Sequence, residues 1–189
     1  MPKIGQEPLR RKALVAATVD VIGEAGSLDV TVGQIAKRAG MSSALAHHYF
    51  GGKAQIFLAA MRHILAEYSE EVRLALIAAP AGQRLEALID ANFVGSCFTP
   101  SSISAWLNFY VLAQRDEDAA RLLKIYQRRL HSNLKHSLKD RCDDPQEIAS
   151  ILAAQIDGVY LRAALSGKGM QGAAEKVRHV ARALLEEKA

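Results

Sequence analysis

Thr31-Val-Gly-Gln-Ile-Ala-Lys-Arg-Ala-Gly40-Met-Ser-Ser-Ala-Leu-Ala-His-His-Tyr49 is the stretch on which the reading of this chain turns. Thr31 followed three residues later by Gln34 has capping-box spacing, so a helix starts near Val32. Ile35, Ala36 and Ala39 share one face of that helix, and Gly40 permits the left-handed turn that ends it. Ser42 then caps a second short helix, from Ser43 to about Tyr49. Two short helices about so tight a turn form a helix-turn-helix. Ala36 is small where the helices must cross closely, and Met41 and Ala46 can close the little core. The second helix projects, with Ser43, Ala44, Leu45, His47 and His48 available to a DNA major groove and Ser42 at its start. The short side chains of Ser43 and Ala44 allow its backbone close to the bases. Thr31, Tyr49 and Lys53 suit phosphate oxygens, which set register without reading sequence.

The charge distribution agrees. The chain has 189 residues and a formal net charge of +4. Residues 1–62 hold eight Lys or Arg against four acids, whereas the remaining 127 hold sixteen of each. All the excess positive charge therefore surrounds the helix-turn-helix, where Arg10, Arg11 and Lys12 can add phosphate contacts. Half of the residues are hydrophobic, which supports a real core and excludes a disordered chain. No apolar leader opens the chain, so a cytoplasmic location is expected. The uncharged run 91–114 is broken by Thr99, Pro100, Ser101 and Ser102, and no membrane span is expected there. Cys97 and Cys142 are far apart and read as free thiols.

Beyond the motif the chain reads as helix throughout. Apolar residues recur at helical spacing, no sustained period-2 segment appears, and Gly and Pro fall where helices should stop. The expected helices cover about 7–25, 32–40, 43–49, 53–79, 82–98, 100–115, 116–141, 145–166 and 173–187. Pro100 sits at a first helical position, and Asp144-Pro145-Gln146-Glu147 has capping-box form. The expected fold is all-α with nine helices. A helix-turn-helix domain over residues 1–52 precedes an effector-binding and dimerisation domain over residues 53–189.

The residues Thr31, Ile35-Ala36, Ala39-Gly40-Met41-Ser42, His48-Tyr49-Phe50 and Lys53 resemble the N-terminal signature of TetR-family repressors. The family usually has Gly, Thr and Tyr at the positions of Ala44, Leu45 and His47. A wider resemblance is to BetI-type repressors, the choline-sensing regulators of glycine betaine synthesis. It is carried by Met1-Pro2-Lys3, Arg10-Arg11, Ala105-Trp106-Leu107, Arg128-Arg129-Leu130, Ile156-Asp157-Gly158 and Leu161-Arg162-Ala163-Ala164-Leu165-Ser166-Gly167-Lys168. Tyr160 stands where that group would have Trp. The resemblance implies a TetR-like fold and a homodimer on a palindromic operator, with choline or betaine aldehyde as effector. It also implies that the last two helices pair with their copies, through Ala154, Gly158, Arg162, Val177, Val180, Ala181 and Leu184.

A quaternary ammonium is best held by aromatic faces with a carboxylate to balance it. Trp106 with Phe109 and Tyr110 at i+3 and i+4 offers such faces, and Phe93 and Phe98 precede them. Asp157 lies beside Tyr160 on an otherwise apolar helix, where an acid needs a counter-charge if buried. The same spacing is also how an ordinary core helix packs, and a lone Asp can pair with a basic residue on another helix. Glu70-Glu71 and the run Asp116, Glu117, Asp118 read as solvated faces or cap charges. Adjacent His47 and His48 point about 100° apart, His131 and His136 miss chelating spacing, and no metal site or cofactor is expected. No nucleophile–base pair or phosphate loop indicates an enzyme. The alternatives are a TetR-type repressor with another effector, and an all-α module that does not bind DNA.

Overall fold

The computed structural model describes residues 6–95, 98–166 and 169–186. Among these residues the fold is all-α, with nine helices and no strand. They are α1 (Gln6–Ala25), α2 (Val32–Arg38), α3 (Ser43–Phe50), α4 (Lys53–Ala78) and α5 (Arg84–Ala91). They continue as α6 (Pro100–Leu112), α7 (Glu117–Leu138), α8 (Pro145–Ser166) and α9 (Ala173–Glu186). Cys97, Lys168 and the Met1-Pro2-Lys3 start lie outside the described residues; Cys142 is partly buried, and its thiol donates to the Leu138 carbonyl at 3.7 Å.

The start and stop signals act as their chemistry requires. Thr31 Oγ1 accepts the Gln34 N–H at 3.1 Å, and Gln34 Oε1 accepts the Thr31 N–H at 2.7 Å. Gly40 takes φ +68°, and the Met41 N–H then reaches the Ala36 carbonyl at 2.8 Å. Thr99 caps α6 with Pro100 in its first turn, and Asp144 Oδ1 accepts the Glu147 N–H at 2.9 Å. The expectation for α5 is corrected: it ends at Ala91, not near Phe98. Asn92 stops it, because its side-chain amide donates to the Leu88 carbonyl at 2.7 Å and displaces the helical pattern. Gly95, at φ +94°, then turns the chain.

Packing divides the chain into two compact units, Met1–Ala66 with Thr99–Leu123, and Glu67–Phe98 with Lys124–Ala189. This grouping differs from a break after residue 52, because α6 packs along α1 in the first unit. The two helices approach so closely at Gly23 that a Cβ there would collide with the Cα, Cβ and carbonyl oxygen of Ser101. Asn108 Nδ2 also donates to the Gly26 carbonyl at 3.2 Å, closing the end of α1. Leu14, Ile22, Ile35, Ala46, Ile56, Met61 and Phe109 fill this unit.

In the second unit Leu85, Leu88 and Ile89 of α5, Leu130, Leu134 and Leu138 of α7, and Leu152 and Ile156 of α8 are buried. Val177 of α9 is buried with them, and α9 packs on α8 and α5. Arg178 pairs with Asp90 of α5 and, at 2.7 Å, with Glu175. By length and composition alone, α8 is long and apolar enough to cross a membrane. Ile148, Leu152, Ile156, Val159 and Tyr160 turn into the unit, while Ile151, Ala154, Gly158, Leu161 and Leu165 are exposed.

Candidate functional site

The helix-turn-helix is built by a few buried apolar contacts and two arginine clamps. Ile35, Ala36 and Ala46, each at most 1 % exposed, lock α2 onto α3. Ser42 Oγ accepts the Leu45 N–H at 3.2 Å and starts α3. Ser43, Ala44, His47 and His48 are exposed on α3, and Leu45 and Tyr49 are partly so. His47 Nδ1 lies 3.4 Å from the Gly51 carbonyl, and the His48 ring meets Tyr49 at 5.5 Å between centroids. Arg11 bonds Glu7 at 2.8 Å and the Tyr49 carbonyl. Its guanidinium also lies 5.5 Å and 5.2 Å from the Tyr49 and Phe50 ring centroids. Arg11 thus ties α1 to the end of α3.

Arg38 makes the second clamp. It bonds Glu24 and lies 4.0 Å from Asp20, joining α2 to α1. The hydrogen bond from Arg38 holds the Glu24 carboxyl below its usual range. Lys53 lies over the Phe57 ring at 5.4 Å. Arg10 bonds Gln6 at 3.0 Å, and Arg10, Lys12, Thr31 and Lys53 are all exposed. Ser43, Ala44, His47 and His48 of α3 and the basic residues Arg10, Lys12 and Lys53 are therefore all open to solvent.

The six residues expected around an effector are divided between the two compact units. Trp106, Phe109 and Tyr110 belong to the first unit, where Phe109 is fully buried and the Trp106 and Tyr110 rings meet edge-on at 5.4 Å. Phe93, Asp157 and Tyr160 belong to the second unit. There the Tyr126 hydroxyl donates to Asp157 Oδ1 at 3.0 Å, and the Tyr126 ring meets Tyr68 edge-on at 5.4 Å. The Tyr68 hydroxyl donates to Asn92 Oδ1 at 2.7 Å. Tyr160, one turn from Asp157, meets Phe98 edge-on at 5.7 Å. Burial pushes the Asp157 carboxyl above its ordinary range, and the Tyr126 hydrogen bond opposes the shift without cancelling it. A carboxylate so placed gains from any cation that reaches it.

Tyr68, Asn92 and Tyr126 had no functional assignment from the sequence. The signal for Tyr126 was its place in the stripe with Leu130, Leu134 and Leu138, since a hydroxyl in such a stripe needs a partner. The reading of Glu70 and Glu71 is half corrected. Glu70 is exposed and paired with Arg73 at 2.6 Å. Glu71 is partly buried, and its carboxylate occupies the space a Cβ on Gly95 would take. Asp116 caps α7 through the Ala119 N–H at 2.8 Å, as expected.

The partner-facing residues are also redistributed. Val177 and Ala181, expected at a dimer surface, are 0 % and 4 % exposed and fill the unit from α9. Val180 and Leu184 are half-buried, whereas Ala154, Gly158 and Arg162 are exposed. With Ile151, Leu161 and Leu165, α8 shows a stripe at 151, 154, 158, 161 and 165. That alternation of three and four is the spacing of a two-helix seam.

Residues 81–188 match the family described as BetI-type transcriptional repressor, C-terminal, and residues 14–60 match bacterial regulatory proteins, tetR family. The chain belongs to the TetR family, with a BetI-type C-terminal part. Curated relatives agree. The HTH-type transcriptional regulator BetI of Brucella anthropi is 51 % identical over 168 residues, which is 87 % of each chain. That of Agrobacterium fabrum is 51 % identical over 87 % of this chain and 82 % of its own. Among solved structures, a transcriptional regulator from Pseudomonas aeruginosa PAO1 superposes with a TM-score of 0.82 at 22 % identity, covering 95 % of this chain and 91 % of its own. A regulator from Saccharomonospora viridis, solved in complex with choline, gives 0.73 at 22 % identity, covering 89 % and 93 %. This TetR-family, BetI-type chain is a DNA-binding transcriptional regulator, and the relatives that show it are regulators and not enzymes.

Proposed function

We propose that the chain acts in the cytoplasm as a homodimeric repressor of genes that convert choline to glycine betaine, and that choline or betaine aldehyde relieves the repression. Residues 1–52 form the reading head and residues 53–189 carry effector binding and dimerisation. Ser43, Ala44, Leu45, His47 and His48 read base edges, and Arg10, Lys12, Thr31, Tyr49 and Lys53 meet phosphates. Arg11 and Ser42 hold the head together, which is the use their contacts support.

The single observation that carries the effector reading is Asp157: a carboxylate raised by burial, one turn from Tyr160 and held by the Tyr126 hydroxyl. A quaternary ammonium offers charge without N–H donors, so it suits one carboxylate among ring faces better than a hydrogen-bonding cage does. The BetI naming of relatives at 51 % identity and the choline complex of the Saccharomonospora viridis regulator support the same choice. Of the six effector residues read from the sequence, Asp157, Tyr160 and Phe93 carry the proposal, and Trp106 and Tyr110 serve as aromatic packing beside buried Phe109.

Dimerisation through α8 presents two reading heads to a palindromic operator. The test is selection of bound DNA from a random pool, followed by titration of choline and betaine aldehyde into the selected complex. A two-fold symmetric site released by either compound supports the reading. A selected site indifferent to both removes the effector and leaves the DNA-binding regulator.

A further inference from the structure

Four helices of the second unit are joined by one series of side-chain contacts that ends on Asp157. Asn92, at the end of α5, is 3 % exposed. Its Nδ2 is committed to the Leu88 carbonyl at 2.7 Å, which turns its Oδ1 toward the Tyr68 hydroxyl, also at 2.7 Å. Tyr68 stands on α4, and its ring meets Tyr126 of α7 at 5.4 Å and 64°. The Tyr126 hydroxyl then reaches Asp157 of α8 at 3.0 Å. Each link is directional: two are hydrogen bonds with fixed donors, and one is an edge-on ring contact.

The position of Tyr68 gives the series its consequence. α4 is one unbroken helix, Lys53–Ala78, and the division between the compact units falls inside it, after Ala66. Tyr68 is the second residue beyond that division. A cation seated on Asp157 balances the charge that now attracts the Tyr126 hydroxyl, and so weakens that bond. Tyr126 is then released to shift against Tyr68. Tyr68 is pinned at its hydroxyl by Asn92, so a push on its ring bears on α4 and is not lost in rotation about its own side-chain bonds.

We propose that Asn92, Tyr68 and Tyr126 are positioning residues that pass occupancy of Asp157 by a cation to α4, and through it to DNA affinity. This rests on the cationic-effector reading of the same site. The linkage is a coupling free energy, so it appears as the factor by which effector weakens operator binding; such factors commonly run from about 5 to about 150. A contact series becomes a coupling route only when breaking it changes that factor.

Tyr68→Phe and Tyr126→Phe each remove one hydroxyl and keep the ring. Full-length wild type and both variants are titrated by calorimetry with choline, betaine aldehyde and tetramethylammonium, and by fluorescence anisotropy on operator DNA with and without each probe. Y68F is expected to bind the probes within about threefold of wild type, while the factor by which they weaken operator binding falls at least about fivefold. Y126F is expected to lose the same factor, and the double variant to lose no more than either alone, because the links act in series. A merely structural role moves stability without separating binding from release. Both variants retaining the wild-type factor overturns the proposal, and so does a factor that falls only in step with lost probe binding. A wild type that binds none of the three probes removes the effector reading and this proposal together. A wild type that binds and responds, with variants that match it, removes this proposal alone. The two variants interrupt separate links, so early melting of one leaves the other as the test.

Discussion

Asp157 is where the chemistry of this chain is most exposed to test. Its folded-state acidity is weaker than that of an ordinary carboxyl, so the folded state holds the proton more tightly than the unfolded chain does. The stability this supplies is fully present below the ordinary Asp range and is lost as pH rises through the raised value. At neutral pH the wild type therefore carries a desolvated carboxylate at a cost. Asp157→Asn keeps an oxygen for the Tyr126 hydroxyl and removes that cost. Thermal melts should show D157N more stable than wild type at pH 7, with the difference shrinking toward pH 4. Choline affinity should fall in wild type as acid neutralises Asp157, beginning above the ordinary carboxyl range. A D157N protein less stable at neutral pH would mean that Asp157 already has a cationic partner within the fold.

The helices show which parts of this architecture a single sequence carries. Caps and stops depend on residues within four positions of one another, so Thr31, Gly40, Ser42, Thr99 and Asp144 could be read without a fold. The end of α5 could not, because Asn92 stops it with a side chain that is equally able to face solvent. The grouping of α6 with α1 was hidden for a related reason: it depends on Gly23, whose missing Cβ matters only once Ser101 lies against it. Gly23→Ala tests that contact. Alanine gains up to about 1 kcal/mol in helix propensity, but the new methyl meets backbone that cannot rotate away, a cost of about 1–3 kcal/mol. Denaturant unfolding should show net destabilisation, whereas Gly33→Ala, whose Cβ would meet ordinary van der Waals neighbours, should be neutral or stabilising.

The candidate site was legible in part for the same physical reason. Asp157 stood out as one acid on an apolar helix, and Tyr160 followed from helical spacing. Tyr68 and Tyr126 lie 58 positions apart in the chain, and nothing in either sequence stretch names the other. The aromatic residues of α6 were equally conspicuous, and Phe109 among them is fully buried. Periodicity alone cannot say whether a stripe faces a ligand or a neighbour.

At the scale of the whole molecule, the exposed stripe of α8 and the reading head make one argument. Ile151, Leu161 and Leu165 are 40 %, 45 % and 71 % exposed on a helix whose other face is buried. Fully burying an exposed leucine is worth about 1.5–3 kcal/mol, so covering one that is already half buried gains about half of that, and a symmetric seam counts it twice. Leu161→Glu should therefore convert dimer to monomer in sedimentation and weaken binding to a full palindrome far more than to a half-site. Equal loss on both, or an unchanged dimer, would place the interface elsewhere. Val177→Glu at the buried position of α9 should instead lower the melting temperature, since it buries an unpaired charge.

The deciding measurement is operator affinity by anisotropy for wild type and D157N, each with and without choline, at fixed pH and salt. Choline should weaken operator binding by wild type at least about fivefold and leave D157N unmoved. Equal responses of wild type and D157N to choline, or no response in wild type, would contradict the cationic-effector reading.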